Sequence, residues 1–78
     1  MPEVYRFRGY RFFFFSREGN EPRHIHVRQG DNYAKYWLEP VALAESRGFR
    51  SAELRLLHKL IEEHRTSFIV HWDEHFGQ

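Results

Sequence analysis

The sequence contains no cysteine, and it has only one methionine and three prolines among its 78 residues. Without cysteine the chain has no disulfide to brace a small core, no thiolate zinc cage and no cysteine nucleophile. No apolar run is long enough to span a bilayer, and the first ten residues hold no apolar signal core. We therefore expect a soluble, cytoplasmic protein with no membrane association.

Other signatures are missing as well. The chain has no glycine-rich phosphate loop, no nucleophile elbow and no paired-carboxylate motif, so we predict no cofactor. Its length allows one domain, residues 1–78, which buries only about 60% of the surface of the unfolded chain. Eight phenylalanines, four tyrosines and two tryptophans supply the packing that such a domain needs, or a surface that a partner covers.

The net charge of +1 hides an asymmetry between the two halves of the chain. Residues 1–38 carry six arginines and one lysine against four acids, a net charge of +3, and residues 39–78 carry −2. The excess is nearly all arginine, which favours bidentate contacts with phosphate or carboxylate groups. The field is too weak to indicate nucleic-acid binding by itself.

Hydrophobic periodicity predicts a sheet followed by helix. Alternation of period two indicates strands over about 4–43, with turns at 17–22 and 29–32. The predicted strands are 4–8 continuing after a bend at Gly9 into 10–16, then 23–28, 33–38, and 39–45 as either a short fourth strand or an edge segment.

Apolar residues at helical spacing predict one long helix or two consecutive helices over about residues 51–76. Ser51 is the predicted N-cap, with Glu53 in the first turn. Thr66–Ser67 is the predicted kink or second N-cap, and Gly77 is the predicted end. We expect an α+β fold in which a small antiparallel sheet of three to four strands carries this helical region on one face.

The run Phe12–Phe15 must point to both faces of a strand. One face enters the core, and the other is covered either within the monomer or by a second protein. The sequence leaves both alternatives open.

His24 and His26 are two apart in a predicted strand, so they share a face, about 7 Å apart. Ile25 points the other way, towards the core and the helices, which predicts that the histidines lie on the open face with Arg28. Imidazoles can act as general acid and base, and arginine holds phosphate oxygens. This row suits a metal-independent ribonuclease with His24 and His26 as catalytic residues; the alternative is a solvated sheet face.

The neighbouring residues predict a substrate-binding surface. Its candidates are Arg23, Arg28, Lys35 and Tyr33. Aromatic side chains of 33–37 could stack bases beside these cations, as in proteins that bind single strands. Because Tyr36 and Trp37 alternate, at least one of them belongs to the core.

The remaining histidines lie in the helical region. His71 and His75 have metal-ligand spacing on one helix face, but no third ligand accompanies them, so we predict no metal site there. His24 and His26 lack an obvious third ligand as well. His64 falls beside the apolar stripe and is expected to be packed and hydrogen-bonded.

Two stretches, GYRFFFFSREGNEPRHIHVRQGDNYAKYWLEP and LRLLHKLIEEHRTSFIVHW, resemble a bacterial family, domain of unknown function 4160. The resemblance covers about residues 4 to 73. The family positions matched are His24, His26, Gly30, His64, Arg65 and Trp72. The sequence departs from the family by Arg23, where a second proline is common, and by Ile25, where phenylalanine is common.

The resemblance implies a compact sheet-plus-helix protein encoded beside a second small protein, in an arrangement like toxin–antitoxin pairs. Two hypotheses follow. In the first, the chain is a component of such a module and acts on or binds RNA through an exposed His-x-His strand. In the second, it is a non-catalytic module that docks a cognate small protein, or associates with itself, through exposed aromatic residues.

Overall fold

The computed structural model describes residues 3–77, which form five strands followed by two helices. The strands pair antiparallel with their sequence neighbours in the order β1-β2-β3-β4-β5. The α+β prediction is confirmed, whereas the expected three to four strands are too few. The elements are β1 (Glu3–Phe7), β2 (Tyr10–Phe13), β3 (His24–Gln29), β4 (Asn32–Leu38), β5 (Val41–Arg47), α1 (Ser51–Glu63) and α2 (Arg65–Phe76).

The additional strand arises at Gly9, where the sequence indicated only a bend. Arg8 and Gly9 form a two-residue turn, and Phe7 pairs with Tyr10 across it. Both turn residues have positive φ, 48° at Arg8 and 82° at Gly9. This conformation suits the right-handed twist of a tight hairpin. Glycine is the usual residue at such positions, so an arginine at the first of them conceals the turn.

At the other end of the sheet, residues 39–45 were predicted to form either a short fourth strand or an edge segment. A strand is observed there, as the fifth strand of the sheet. β5 is a full edge strand beside β4, and it extends into the segment expected to be a loop. Pro40 lies in the turn before β5 and so removes no hydrogen bond from the ladder.

The helical region consists of two consecutive helices, which is one of the predicted alternatives. The break lies at His64 and not at Thr66–Ser67. His64 leaves helical geometry, with φ −107° and ψ 11°, and its ring Nδ1 donates to the carbonyl of Leu60 at 2.9 Å. The N-cap of α1 is Arg50, so Ser51 is the first helical residue. Gly77 ends α2 as expected.

The core lies between the helices and one face of the sheet. Tyr36 spans the two layers, because its hydroxyl donates to the carbonyl of Leu54 at 2.8 Å. Ile25 is fully buried, as predicted. Side chains that are at most 1% exposed make up most of this core: Phe12, Phe14, Ile25, Val27, Ala34, Tyr36, Leu38, Leu57, Ile61, Phe68 and Trp72.

The four phenylalanines are covered within a single chain. Phe12, Phe13 and Phe14 are buried, and Phe15 is half-buried. Of the two alternatives for this run, the structure shows coverage within the monomer. No helix among residues 3–77 is long and apolar enough to cross a membrane.

Candidate functional site

The two histidines of β3 share a face, as predicted, but that face is not open at their position. His24 is fully buried and His26 is 2% exposed. The residues that connect β2 to β3 fold back over this end of the strand and place Phe15 and Glu18 against His26, with the Phe15 ring 4.4 Å away. A period-two pattern assigns residues to faces and carries no information about a loop that covers one of them.

Glu18 accepts hydrogen bonds at the centre of the cluster that it forms with His24 and His26. Its carboxylate is 8% exposed and accepts the backbone N–H of Phe15 at 2.9 Å. Nε2 of His26 lies 2.7 Å and 2.8 Å from its two oxygens. Burial acts to raise the pKa of this carboxyl, but the hydrogen bonds that it accepts from His26 and from the Phe15 N–H act in the opposite direction, and the pKa is lowered. Glu18 is therefore ionised at neutral pH.

His26 is a neutral imidazole whose two nitrogens have different partners. Burial lowers its pKa, and this effect outweighs the opposing influence of Glu18. Nε2 carries the proton and donates it to Glu18, while Nδ1 accepts the hydroxyl of Tyr33 at 2.8 Å. Tyr33 was predicted to bind substrate; its hydroxyl instead supports His26, and its side chain is buried.

His24 has a different arrangement. Its Nδ1 donates to the carbonyl of Pro22 at 2.8 Å. Its Nε2 lies 2.8 Å from Oε1 of Glu18, but the angle of this contact is not that of a hydrogen bond, and this buried nitrogen has no other partner among residues 3–77. The ring lies edge-on to the indoles of Trp37 and Trp72, with centroid distances of 5.6 Å and 4.8 Å.

The open part of the same sheet face carries more cations than carboxylates, although Glu3 and Glu45 also lie on it. Arg11 of β2 and Arg28 of β3 are exposed and stand directly opposite each other in the strand register. No carboxylate pairs with either guanidinium among residues 3–77. Arg28 lies over the rings of Phe13 and Tyr33, at 5.9 Å and 6.0 Å from the centroids.

Two further cations continue this surface across β4 and β5. Arg47 lies 5.0 Å from the centroid of the Tyr33 ring. Lys35 lies 4.6 Å from the Trp37 ring and is also paired with Glu21 at 2.9 Å. We call Arg11, Arg28, Lys35 and Arg47 the basic face.

Arg23, a predicted substrate-binding residue, lies apart from the basic face. Its Nε donates to Asp73 at 2.7 Å and its Nη1 to Glu39 at 3.1 Å. These contacts join α2 to the sheet, so the side chain has a structural partner on each side.

Sequence reasoning missed Glu18 and Arg11. Glu18 lies in a segment with only turn signals, and its approach to β3 depends on how the connection folds. Arg11 alternates with buried phenylalanines, which marks it as exposed, but its position opposite Arg28 requires the register of β2 on β3. Neither register nor loop path can be read from periodicity.

The helical histidines form no comparable group. His64 is packed and hydrogen-bonded as expected, with its ring 4.2 Å from that of Tyr5. His71 is exposed, and its Nδ1 lies 2.8 Å from the carbonyl of Ser67. Among residues 3–77 one group of three side chains has metal-ligand geometry, and it is Glu18, His24 and His26.

A sequence model of the family described as Domain of unknown function (DUF4160) matches residues 9–73. The chain belongs to this family. No curated protein and no solved structure matches the chain. The range shared with DUF4160 includes the cluster of Glu18, His24 and His26 and all four cations of the basic face, and it ends before His75.

Proposed function

We propose that this chain binds single-stranded RNA through its basic face, as a small cytoplasmic component of a two-protein module that resembles toxin–antitoxin pairs. The two-protein arrangement rests on the resemblance to the family. RNA binding rests on one structural observation, the pair Arg11 and Arg28. The proposal concerns binding and assigns no catalysis to His24 and His26, because both rings are buried.

The placement of the two arginines indicates an anionic ligand, because without one it destabilises the sheet. Like charges placed directly opposite on neighbouring strands destabilise a sheet. Arg11 and Arg28 occupy such positions and line a depression of about 320 Å³, whose other lining residues are Phe13 and Glu3. The Glu3 carboxylate is paired with Arg6, and among residues 3–77 it forms no ion pair with Arg11 or Arg28. Guanidinium groups bind phosphate through paired hydrogen bonds, so a phosphate between them would relieve the repulsion.

The aromatic rings beneath the basic face are too covered to stack bases. We therefore expect the cations to bind the RNA backbone. Phe13 and Tyr33 are buried and lie beneath the cations, and Trp37 is partly covered by Lys35. Little free ring surface remains for bases. The proposal therefore predicts affinity with weak dependence on base sequence.

The test is fluorescence anisotropy with a short single-stranded RNA over a series of salt concentrations. Each phosphate neutralised on a single strand contributes about −0.7 to the slope of log Kobs against log salt. Arg11, Arg28 and Arg47 together predict a slope of about −2. An Arg11→Ala/Arg28→Ala variant should reduce the magnitude of the slope, to about −0.7, and should weaken binding.

Arg55→Ala is the matched control, because Arg55 is an exposed arginine on α1, on the opposite side of the sheet. It should leave both affinity and slope unchanged. Equal losses in the control and in the double variant would refute the assignment of this face. The same oligonucleotide as DNA tests whether the ribose contributes.

A second candidate function, docking of the cognate small protein, is favoured by an apolar groove. Tyr36, Leu43, Leu54 and His58 line it between β5 and α1, with a volume of about 630 Å³. Four charged side chains of α1 also line the groove: Arg55, Lys59, Glu62 and Glu63. Leu43 is 44% exposed there, on an edge strand. Such an edge can also pair with a second copy of the chain.

Co-expression with the neighbouring gene product tests docking. Leu43→Glu should abolish a complex at this groove, whereas Val70→Glu, at a second large aliphatic residue that is exposed, should not. Sedimentation of the chain alone distinguishes self-association. Growth arrest on expression, relieved by the neighbour, would support the toxin-like arrangement.

A further inference from the structure

The close contact between His24 and Glu18 is unfavourable if the imidazole is neutral and the carboxylate is ionised. Because Nδ1 of His24 donates to the Pro22 carbonyl, a neutral ring presents a lone pair at Nε2. That nitrogen is fully buried, has no hydrogen-bond partner among residues 3–77, and faces a carboxylate oxygen 2.8 Å away. Two electron-rich atoms so close in a buried site require a positive charge between or beside them, either a second proton on the ring or a bound cation.

We propose that Glu18, His24 and His26 bind one divalent transition-metal cation, such as Zn²⁺. Their three donor atoms lie within 4.8 Å of one another, and all three side chains are buried. Two imidazole nitrogens and one carboxylate oxygen are ligands that first-row transition metals prefer, whereas Mg²⁺ and Ca²⁺ prefer oxygen alone. The inference is independent of RNA binding.

The spacing of the donors fits such an ion after a small adjustment. Nitrogen and oxygen ligands lie about 2.0–2.2 Å from zinc, which places neighbouring ligands roughly 3–3.5 Å apart. Oε1 of Glu18 lies 2.8 Å from Nε2 of His24 and 2.7 Å from Nε2 of His26. The third separation, between the two histidine donor atoms, is at most 4.8 Å. Binding of the ion therefore requires the two Glu18 contacts to lengthen by a few tenths of an ångström and the two rings to adjust to a common centre.

The surroundings of both rings are those of metal-binding histidines. Such histidines usually donate their second ring N–H to a carbonyl or another acceptor, which fixes the tautomer and the ring orientation. His24 does this through Pro22. His26 needs only to move its proton from Nε2 to Nδ1, where the oxygen of Tyr33 lies 2.8 Å away and accepts it.

The ligand set leaves one net positive charge and an open coordination position. Three protein ligands are typical of zinc sites that retain a water molecule. Aromatic rings enclose the cluster, among them Phe13, Phe15 and Trp37, so the charge of the ion would be weakly screened. The ion would also join the connection before β3 to the strand itself.

The experiment uses untagged protein purified without a metal column, treated with chelator and titrated with Zn²⁺ and Co²⁺. Calorimetry should give one high-affinity equivalent, and Co²⁺ should develop visible d–d bands. Zn²⁺ should raise the unfolding midpoint of the wild type. Glu18→Gln and His24→Gln should each weaken binding at least tenfold and abolish the rise in the midpoint.

The matched control is His71→Ala/His75→Ala, which removes the exposed histidine pair on α2 and leaves the cluster intact. It should bind like the wild type. Loss of binding in this control, with retention in His24→Gln, would overturn the proposal in favour of a surface site. Absence of a stoichiometric equivalent in the wild type would overturn it too.

X-ray absorption of the Zn²⁺-loaded wild type removes the dependence on variants that fail to fold. The proposal requires two imidazole ligands and at least one oxygen. A spectrum with fewer than two imidazoles contradicts it.

Discussion

Replacing Glu18 by alanine removes the acceptor that holds the connection between β2 and β3 against the sheet. The carboxylate accepts one N–H from Phe15 at 2.9 Å and one from His26 at 2.7 Å. Hydrogen bonds to a charged group contribute about 1.5–3 kcal/mol each, and a buried donor left without a partner costs about 1–3 kcal/mol. We expect Glu18→Ala to lower the free energy of unfolding by about 3–5 kcal/mol.

That loss is large for this chain. A protein of 78 residues is expected to have a free energy of unfolding of roughly 4–12 kcal/mol. Glu18→Gln, which keeps an oxygen acceptor but loses the charge, should cost less than the alanine variant. The difference between the two variants then measures the contribution of the charge.

The assay is guanidinium chloride denaturation with chelator present, followed by tryptophan fluorescence, since Trp37 and Trp72 both contact His24. Glu21→Ala is the control in the same connection. It removes a partly exposed pair with Lys35 and should cost less than about 1 kcal/mol. A Glu18→Ala variant no less stable than this control would refute the reasoning.

Three further predictions concern the fold. Burial raises the pKa of Tyr36 to about 12. Because the unfolded chain ionises first, stability should fall by about 2 kcal/mol as the pH rises from 10 to 12, and Tyr36→Phe should remove that part of the alkaline dependence in denaturation curves. Ile25→Ala should cost about 3 kcal/mol in the same assay, because the side chain is fully buried; a loss below 1 kcal/mol would contradict its place in the core. Gly48→Ala should cost about 2 kcal/mol, because φ is +87° and the added Cβ would collide with the Asn32 side chain; an unchanged denaturation midpoint would show that the loop relaxes freely.

The alternation of apolar and polar residues correctly predicted which face of the sheet each β3 side chain occupies. It placed Ile25 in the core and put His24 and His26 on the other face together, and both assignments are correct. It could not predict that Glu18 covers that face, because a turn-rich segment has no pattern that specifies its path. The burial of the two histidines therefore could not be predicted from β3 alone.

The strand count shows a second limit. Arg8 adopts φ 48° in a position where glycine or asparagine is common, so a two-residue turn resembled a bend in one strand. The position of Arg11 opposite Arg28 depends instead on the pairing of β2 with β3. The turn therefore explains the missing strand, whereas the arginine pair was missed because periodicity does not specify register.

Tyr33 connects the two parts of the candidate site, and its two ends act differently. Its ring lies beneath Arg28 and Arg47, while its hydroxyl contacts Nδ1 of His26. Burial fixes the ring, and the ring position determines where the two cations lie. The hydroxyl can reverse the direction of its hydrogen bond by rotating, which leaves the ring in place. A proton or metal at the histidine cluster would therefore change the hydroxyl without moving the basic face, so the proposed RNA binding and the proposed metal binding can be measured separately in one protein.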